Sequence, residues 1–446
     1  MGELGLKEVI AMGIGGIIGG GIFAVLGVAA SLSGNAAFLT YFLAGVIALI
    51  SGYSYYRLTA KFHEEGGSFT FLEHFVSNQN IAGMVGWILV LGYVGTMAMY
   101  AHAFGSFASE ILGLGESSVI RGLISVGVIL LFVGINFLGA RKSGGSEDLM
   151  VYAKVLILLT FGAAGIWGIL TRPELSFFSG GIFNHGLISP ITAVGAIFVS
   201  FEGFQLLTYE YSEMEGGLET LKKGILISIG VSTLIYVLTA AVTTSLVTPE
   251  QIIQHKETVL AFAASKIFAS QILNQIASFL VSIAAIFSTA SAINATLFGT
   301  ARFTNKMAED GEMPELFSFR NRKGVPTKSL VVIAFFTSLF TFLGTLEEIT
   351  TFASLSFITI FSVVNYLAMR ECRKRFTTYL TGIGFLGSLT SLFLLIWHLY
   401  IDKIHVLVFV AIIFAILFLL EFLYFERDRI EKELEEAEEE IEEELN

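Results

Sequence analysis

The chain has 446 residues, 54% of them apolar and only 14% charged, with a formal net charge of -12. A soluble domain carries about 25% charged residues, and a mean hydropathy of +0.76 leaves no polar coat for a water-facing surface. This composition excludes a soluble enzyme, a disordered chain and a nucleic-acid binder, which would need a basic face. The single cysteine, Cys372, excludes a disulfide scaffold or a cysteine-held metal.

In chain order, apolar runs long enough to cross a bilayer lie at about 8–31, 36–57, 81–112, 118–139, 148–170 and 188–212. Six more lie at about 224–246, 272–301, 328–346, 348–369, 378–400 and 404–425. None is an alternating ten-residue segment, so an all-α integral membrane protein of about 12 spans is expected rather than a β-barrel. The first run is too long for a secretion signal and lacks a cleavage-site pattern, so it counts as a span. With the N-terminus inside, 20 of the 26 Lys and Arg fall in inside loops and ends and 5 outside. That bias predicts cytoplasmic termini and a multi-pass protein of the cell membrane. One lysine, Lys154, fits neither side. Residues 426–446 hold twelve acids and three bases, so most of the net charge is expected on an acidic cytoplasmic helical tail.

All five prolines lie in loops or at helix ends, so interruptions within spans must come from glycine. Five glycines stand in the seven residues 15–21 of the first span. As continuous helix each costs about 1 kcal/mol relative to alanine. An unwound segment is expected there, although a small-residue packing face would use Gly15 and Gly19 as well. A second break is expected at Ser200-Phe201-Glu202-Gly203-Phe204 in the sixth span. Breaks in the first and sixth spans mark a five-plus-five inverted repeat, with halves at about 8–171 and 188–370 and two extra helices at about 378–425. Freed N–H groups and a half-helix N-terminus hold a carboxylate. Freed carbonyls hold an ammonium group. A site with both suits an α-amino acid.

Lys154 sits about 9 Å along its helix from Asp148. A charge at such depth costs about 2.5–3.5 kcal/mol on insertion scales. Either it snorkels to the headgroups or it is functional, because a buried amine loses its proton readily. Glu202 is a second intramembrane acid, open to reading a cationic side chain, to proton coupling or to a neutral packed role. His102 either joins a proton path or is a hydrogen-bonded interior histidine. Ser291 and Asn294, three residues apart, either support the Lys154 site or bond between helices. The other histidines are scattered. No phosphate loop, metal-ligand set or Ser/His/Asp arrangement is visible, so neither an enzyme nor a cofactor or metal is expected.

The run ending Gly19-Gly20-Gly21-Ile22-Phe23 resembles the G-x-G-I-F signature of the amino acid–polyamine–organocation (APC) transporter superfamily. Phe287-Ser288-Thr289-Ala290-Ser291-Ala292-Ile293-Asn294-Ala295, continuing to Ala308-Glu309-Asp310-Gly311-Glu312-Met313-Pro314, is similar to that family's eighth helix and following loop. The likeness is nearest to its archaeal and bacterial proton-coupled members. It implies a LeuT-like fold, alternating access, an amino acid as substrate and a proton as coupling ion. It further implies that Lys154 pairs with the Gly15 carbonyl and the Ser288 hydroxyl. The substrate carboxylate would meet the N–H groups of Gly19, Gly20 and Gly21, beside Ile18. The amine would meet the carbonyls of Val199, Ser200 and Glu202. Phe198 or Phe201 would replace the aromatic gate that relatives carry where Val199 stands. Two departures are evident. Gln205 occupies the usual acid position of the sixth helix, and the seventh-helix approach lacks the N-P…I-P-R pattern. A cationic amino acid or polyamine exchanger, or a transporter-like sensor, is the alternative expectation.

Overall fold

In the first span the helix stops at Ile17 and resumes at Gly21, and everything else is arranged around that gap. The computed structural model describes residues 4–64, 67–75, 79–114, 117–138, 144–172, 181–309, 311, 313–371, 374–416, 418–419 and 422. The acidic tail at 426–446 lies outside them. The architecture is all-helical among the described residues. Lipid offers backbone groups no partner, so long apolar runs without proline satisfy their own hydrogen bonds as helices.

In chain order the helices are α1 (Leu6–Ile17), α2 (Gly21–Ser33), α3 (Ala37–Phe62), α4 (Ser68–Glu73), α5 (Gln79–Ile111), α6 (Ser118–Phe137) and α7 (Gly144–Thr171). They continue with α8 (Ser189–Ile197), α9 (Leu218–Leu246), α10 (Pro249–Gln254), α11 (Val259–Ala264) and α12 (Gln271–Glu309). The last are α13 (Thr327–Leu343), α14 (Leu346–Glu371), α15 (Arg375–Asp402) and α16 (Ile404–Ile416). Among the described residues, nine helical stretches are long and apolar enough to cross a membrane, with α2 and α3 running together as one. α13 and α16 are shorter apolar helices. Among the described residues, each of the twelve expected spans contains helix, the first and sixth with a break, and the twelfth is described as helix over Ile404–Ile416.

Close packing rests on small residues. Gly45 of α3 faces Thr233 of α9, and Gly95 of α5 lies against Ala353 of α14, where an added Cβ would stand 3.0 Å from the alanine methyl. One buried apolar cluster runs from α1 to α14. A second, smaller one joins α8, α14, α15 and α16. Among the described residues, ion pairs join groups of one end only. Lys61–Glu371 and Arg320–Glu309 lie at the end where α1 begins, called here the near end. Arg121–Glu257, Lys256–Glu347 and Lys403–Glu347 lie at the far end. This separation agrees with the Lys and Arg distribution.

Candidate functional site

The glycine run does two things at once. Gly13, Gly15 and Gly16 remain helical in α1, and only Ile18–Gly20 leave the helix. The helical glycines serve close approach. Gly15 lies against Val151 of α7, where a Cβ would stand 2.9 Å away, and Gly16 lies on the backbone of Gly203. Packing thus holds the first part of the run in helix. Beyond Ile17 the chain has exchanged helical bonds for partners on other helices.

The second break also has its own geometry. α8 ends at Ile197, a 3-10 turn spans Phe198–Phe201, and Glu202 is extended with φ -67 and ψ 149. Gly203 then takes φ +119, a region that favours glycine. The chain continues as a 3-10 segment over Phe204–Glu213 where the hydropathy pattern predicts α-helix. Polar side chains account for part of this. Gln205 Oε1 accepts from the Gly203 N–H at 2.8 Å, and the Thr208 hydroxyl donates to the Gln205 carbonyl at 2.7 Å. Such local bonds compete with the α-helical ladder.

The two breaks meet. An alanine at Gly16 would place its Cβ 3.1 Å from the Gly203 carbonyl oxygen, and one at Gly21 2.9 Å from Ser200 Cα. The Tyr236 hydroxyl, from α9, stands 2.7 Å from the Ile17 carbonyl and 3.1 Å from the Ser200 carbonyl, facing both freed carbonyls. The Ser200 hydroxyl reaches the Gly21 carbonyl at 3.5 Å. Ser354 of α14 donates to the Ala196 carbonyl at 2.8 Å and accepts from the Val199 N–H at 3.1 Å. The Val199 carbonyl accepts from the Glu202 N–H at 3.1 Å.

Of the residues singled out from sequence, Ile18, Gly19, Gly20, Gly21, Phe198, Val199, Ser200, Phe201 and Glu202 are buried at this junction. The rings are tightly held. Phe198 lies edge-on to Phe361 with centroids 5.5 Å apart, and Phe201 forms a three-ring cluster with Tyr41 and Tyr236. Lys154 is only 6% exposed, and its Nζ donates to the Gly15 carbonyl at 3.0 Å. The lysine therefore points into the bundle rather than to the headgroups. Ser288 of α12 donates to the Ile18 carbonyl at 2.7 Å and also touches the Gly19 carbonyl. Both α7 and α12 thus grip the carbonyl side of the first break.

The secondary residues lie elsewhere. Asn294 accepts from Asn136 Nδ2 of α6 at 3.0 Å, a bond between helices. Ser291 is half-buried on α12. His102 Nε2 bonds Glu257 Oε1 at 3.0 Å in the turn between α10 and α11. Ser106 donates to the same carboxylate at 2.9 Å, and Arg121 completes the clasp. Burial opposes ionisation of Glu257, but the bonds from His102 and Ser106 and the Arg121 charge outweigh it and hold the carboxyl at about 2.

Three contributors escaped the sequence reading: Tyr236, Ser354 and Tyr100. The Tyr100 ring packs on Gly20, and its hydroxyl lies within hydrogen-bonding reach of Glu202. A signal existed for the tyrosines, since a buried phenol seeks a partner. Hydropathy does not say which partner. Among the described residues, no cluster of His, Cys, Asp and Glu suits a metal.

What these paired breaks resemble is also found by comparison. The family model for amino acid permeases matches residues 4–425. An uncharacterised protein of Methanocaldococcus jannaschii is 29% identical, over 84% of each chain. The inner membrane transport protein YbaT of Escherichia coli is 29% identical, over 82% of this chain and 83% of its own. The branched-chain amino acid permease BcaP of Bacillus subtilis is 24% identical, over 70% and 68%. A match across nearly all spans, joined to an all-helical membrane body, places the chain in the amino acid permease family of the APC superfamily, as a transporter of amino acids and not an enzyme.

Proposed function

We propose that the protein is a proton-coupled amino acid symporter of LeuT-like fold, working by alternating access with Lys154 as the coupling residue. In this reading the near end faces the cytoplasm of the cell, the protein sits in the plasma membrane, and both termini are cytoplasmic. Residues of about 8–171 and 188–370 form the two inverted repeats. The observation that carries the reading is the 3.0 Å bond from Lys154 Nζ to the Gly15 carbonyl at the end of α1. Protonated, the amine donates to that carbonyl and ties α7 to α1. Neutral, it loses most of the attraction, and α1 is free to move against α7. One proton thereby biases two packings of the bundle.

The substrate's carboxylate would lie on the N–H groups that open α2, where the half-helix dipole is positive. Its amine would lie on carbonyls of the second break. Because these contacts are to backbone, they recognise the shared part of amino acids and leave the side chain to the surrounding rings. Lys154→Ala in proteoliposomes tests the reading. Amino acid accumulation driven by an inward proton gradient is expected to be lost, while counterflow exchange persists. Full proton-driven accumulation in the variant would refute the role of Lys154, and its absence in the wild type would refute symport.

A further inference from the structure

The coupling scheme above does not use the carboxyl of Glu202. Glu202 is 3% exposed and lies within the second break, one residue before the Gly203–Gly16 contact. Its surroundings come from four elements. On its own segment Gln205 donates to Oε1 at 3.1 Å. From α5, Tyr100 lies within hydrogen-bonding reach of the carboxyl, and Tyr93 stands near Gln205. The phenols of Tyr55 of α3 and Tyr236 of α9 lie within electrostatic range of it while bonding Ser68 and the Ile17 and Ser200 carbonyls, and Tyr209 lies within range of Tyr55 and Tyr93. The two side chains within hydrogen-bonding reach of this carboxyl, Gln205 and Tyr100, are both neutral.

A carboxylate enclosed by neutral groups needs a proton or an incoming cation to balance its charge. The geometry favours the proton. A guanidinium or ammonium side chain needs space and free lone pairs. Here Gln205 fills one side of Oε1, and the Tyr100 ring, packed on Gly20, covers the approach from the first break. A proton needs no room.

We propose that Glu202 is a second proton-carrying group, and that Tyr100 reports its charge to the substrate site. The inference rests on the transport reading above and deepens it. The step is proton transfer alone: a carboxylate oxygen accepts a proton from water and later returns it to water, with no electron moved. Tyr100 has one hydroxyl proton. When Glu202 is ionised, that proton is donated to the carboxylate. When Glu202 is protonated, the acid donates to the phenol oxygen, and the Tyr100 O–H turns outward. Outward means toward Gly19, where an added Cβ would stand 3.4 Å from the Tyr100 oxygen. A substrate carboxylate at the first break then gains a donor only while Glu202 holds a proton. Substrate and proton would bind together for this reason.

The test uses the full-length protein in liposomes and compares wild type with Glu202→Gln, whose amide has the shape of the protonated acid. The first readout needs no substrate. Infrared difference spectra across a pH titration are expected to show a protonated-carboxyl band in wild type that fades as pH rises and is missing from Glu202→Gln. Identical titrations in the two proteins would overturn the proposal. The second readout is counterflow of radiolabelled L-alanine and L-arginine. Relative to its own rate at acidic pH, exchange by Glu202→Gln is expected to respond less to pH than wild-type exchange does. A wild-type pH profile in the variant would overturn the proposal. So would loss of arginine exchange alone, which would make Glu202 a reader of cationic side chains. If Glu202→Gln fails to assemble, Tyr100→Phe is expected to shift the wild-type carboxyl band, and an unmoved band refutes the link. Failure of symport itself appears separately, as absent proton-driven accumulation in wild type with the infrared band intact.

Discussion

Gly203 is where the two breaks press hardest on each other, and replacing it with alanine is the sharpest test of their contact. Two costs add. The backbone at φ +119 is one that a side chain rarely adopts, a strain of about 1–3 kcal/mol. The new Cβ would stand 2.5 Å from the Gly16 carbonyl carbon, 2.8 Å from its oxygen and 2.9 Å from its Cα. Comfortable carbon contacts lie at about 3.5–4.0 Å, so the two backbones must part by roughly 1 Å. Overpacking of this kind costs about 1–3 kcal/mol. The sum is about 2–6 kcal/mol for one methyl group. Gly16→Ala meets the same contact more gently, with its Cβ 3.1 Å from the Gly203 oxygen. It also gains helix propensity of about 1 kcal/mol, so it should be close to neutral. Gly127→Ala on α6 meets nothing within 4 Å and should stabilise slightly. The assay is the rate of thermal inactivation of the detergent-solubilised protein at one temperature, read by monodispersity, because large membrane proteins unfold irreversibly. The expected order of survival is Gly127→Ala above wild type and Gly16→Ala, with Gly203→Ala far below. Survival of Gly203→Ala equal to that of Gly127→Ala would refute the contact and the strained turn together.

Tyr236→Phe removes the hydroxyl that faces the Ile17 and Ser200 carbonyls. It should destabilise by about 1–3 kcal/mol through those unpaired groups. Transport should fall further than thermal stability does, and matched losses in melting and counterflow measurements would contradict this. Glu257 gives a pH prediction. Its native value of about 2 lies below the ordinary 4.5, so its contribution is present above the unfolded value and fades as pH falls toward the native one. A shift of that size corresponds to about 3 kcal/mol. Glu257→Gln should therefore lower the melting temperature at neutral pH and hardly at all near pH 2. Equal losses at both would count against the clasp.

Hydropathy made the twelve spans legible because a bilayer sorts segments by transfer free energy alone. The two breaks were legible for a different reason. A glycine run inside an apolar helix has no benefit unless something else uses it, and Lys154 is costly for the same kind of reason. The position of the first break within the run was not legible. It depends on which glycines face Val151 and Gly203, and those residues stand on other helices. The 3-10 conformation after Gly203 was hidden because Gln205 and Thr208 look like ordinary polar helix residues until their bonds are seen. His102 illustrates the general limit. Its partner Glu257 lies 155 residues away, and nothing in the pattern of either segment points to the other.

The turn between α10 and α11 has a further consequence. Two consecutive residues in it fasten different walls: Lys256 binds Glu347 at the start of α14, and Glu257 binds His102 and Arg121 on α5 and α6. The Lys256 carbonyl also rests on Gly27 of α2. Any movement that parts these walls at the far end must break at least one of these attachments. The Lys256–Glu347 and Arg121–Glu257 pairs are only partly buried, so dissolved ions weaken them, with a screening length of about 10 Å at 0.1 M and about 3 Å at 1 M. The medium bathing that face therefore tunes how readily the bundle opens there. The same chain would be a faster or slower carrier in brine than in fresh water, with no change in its sequence.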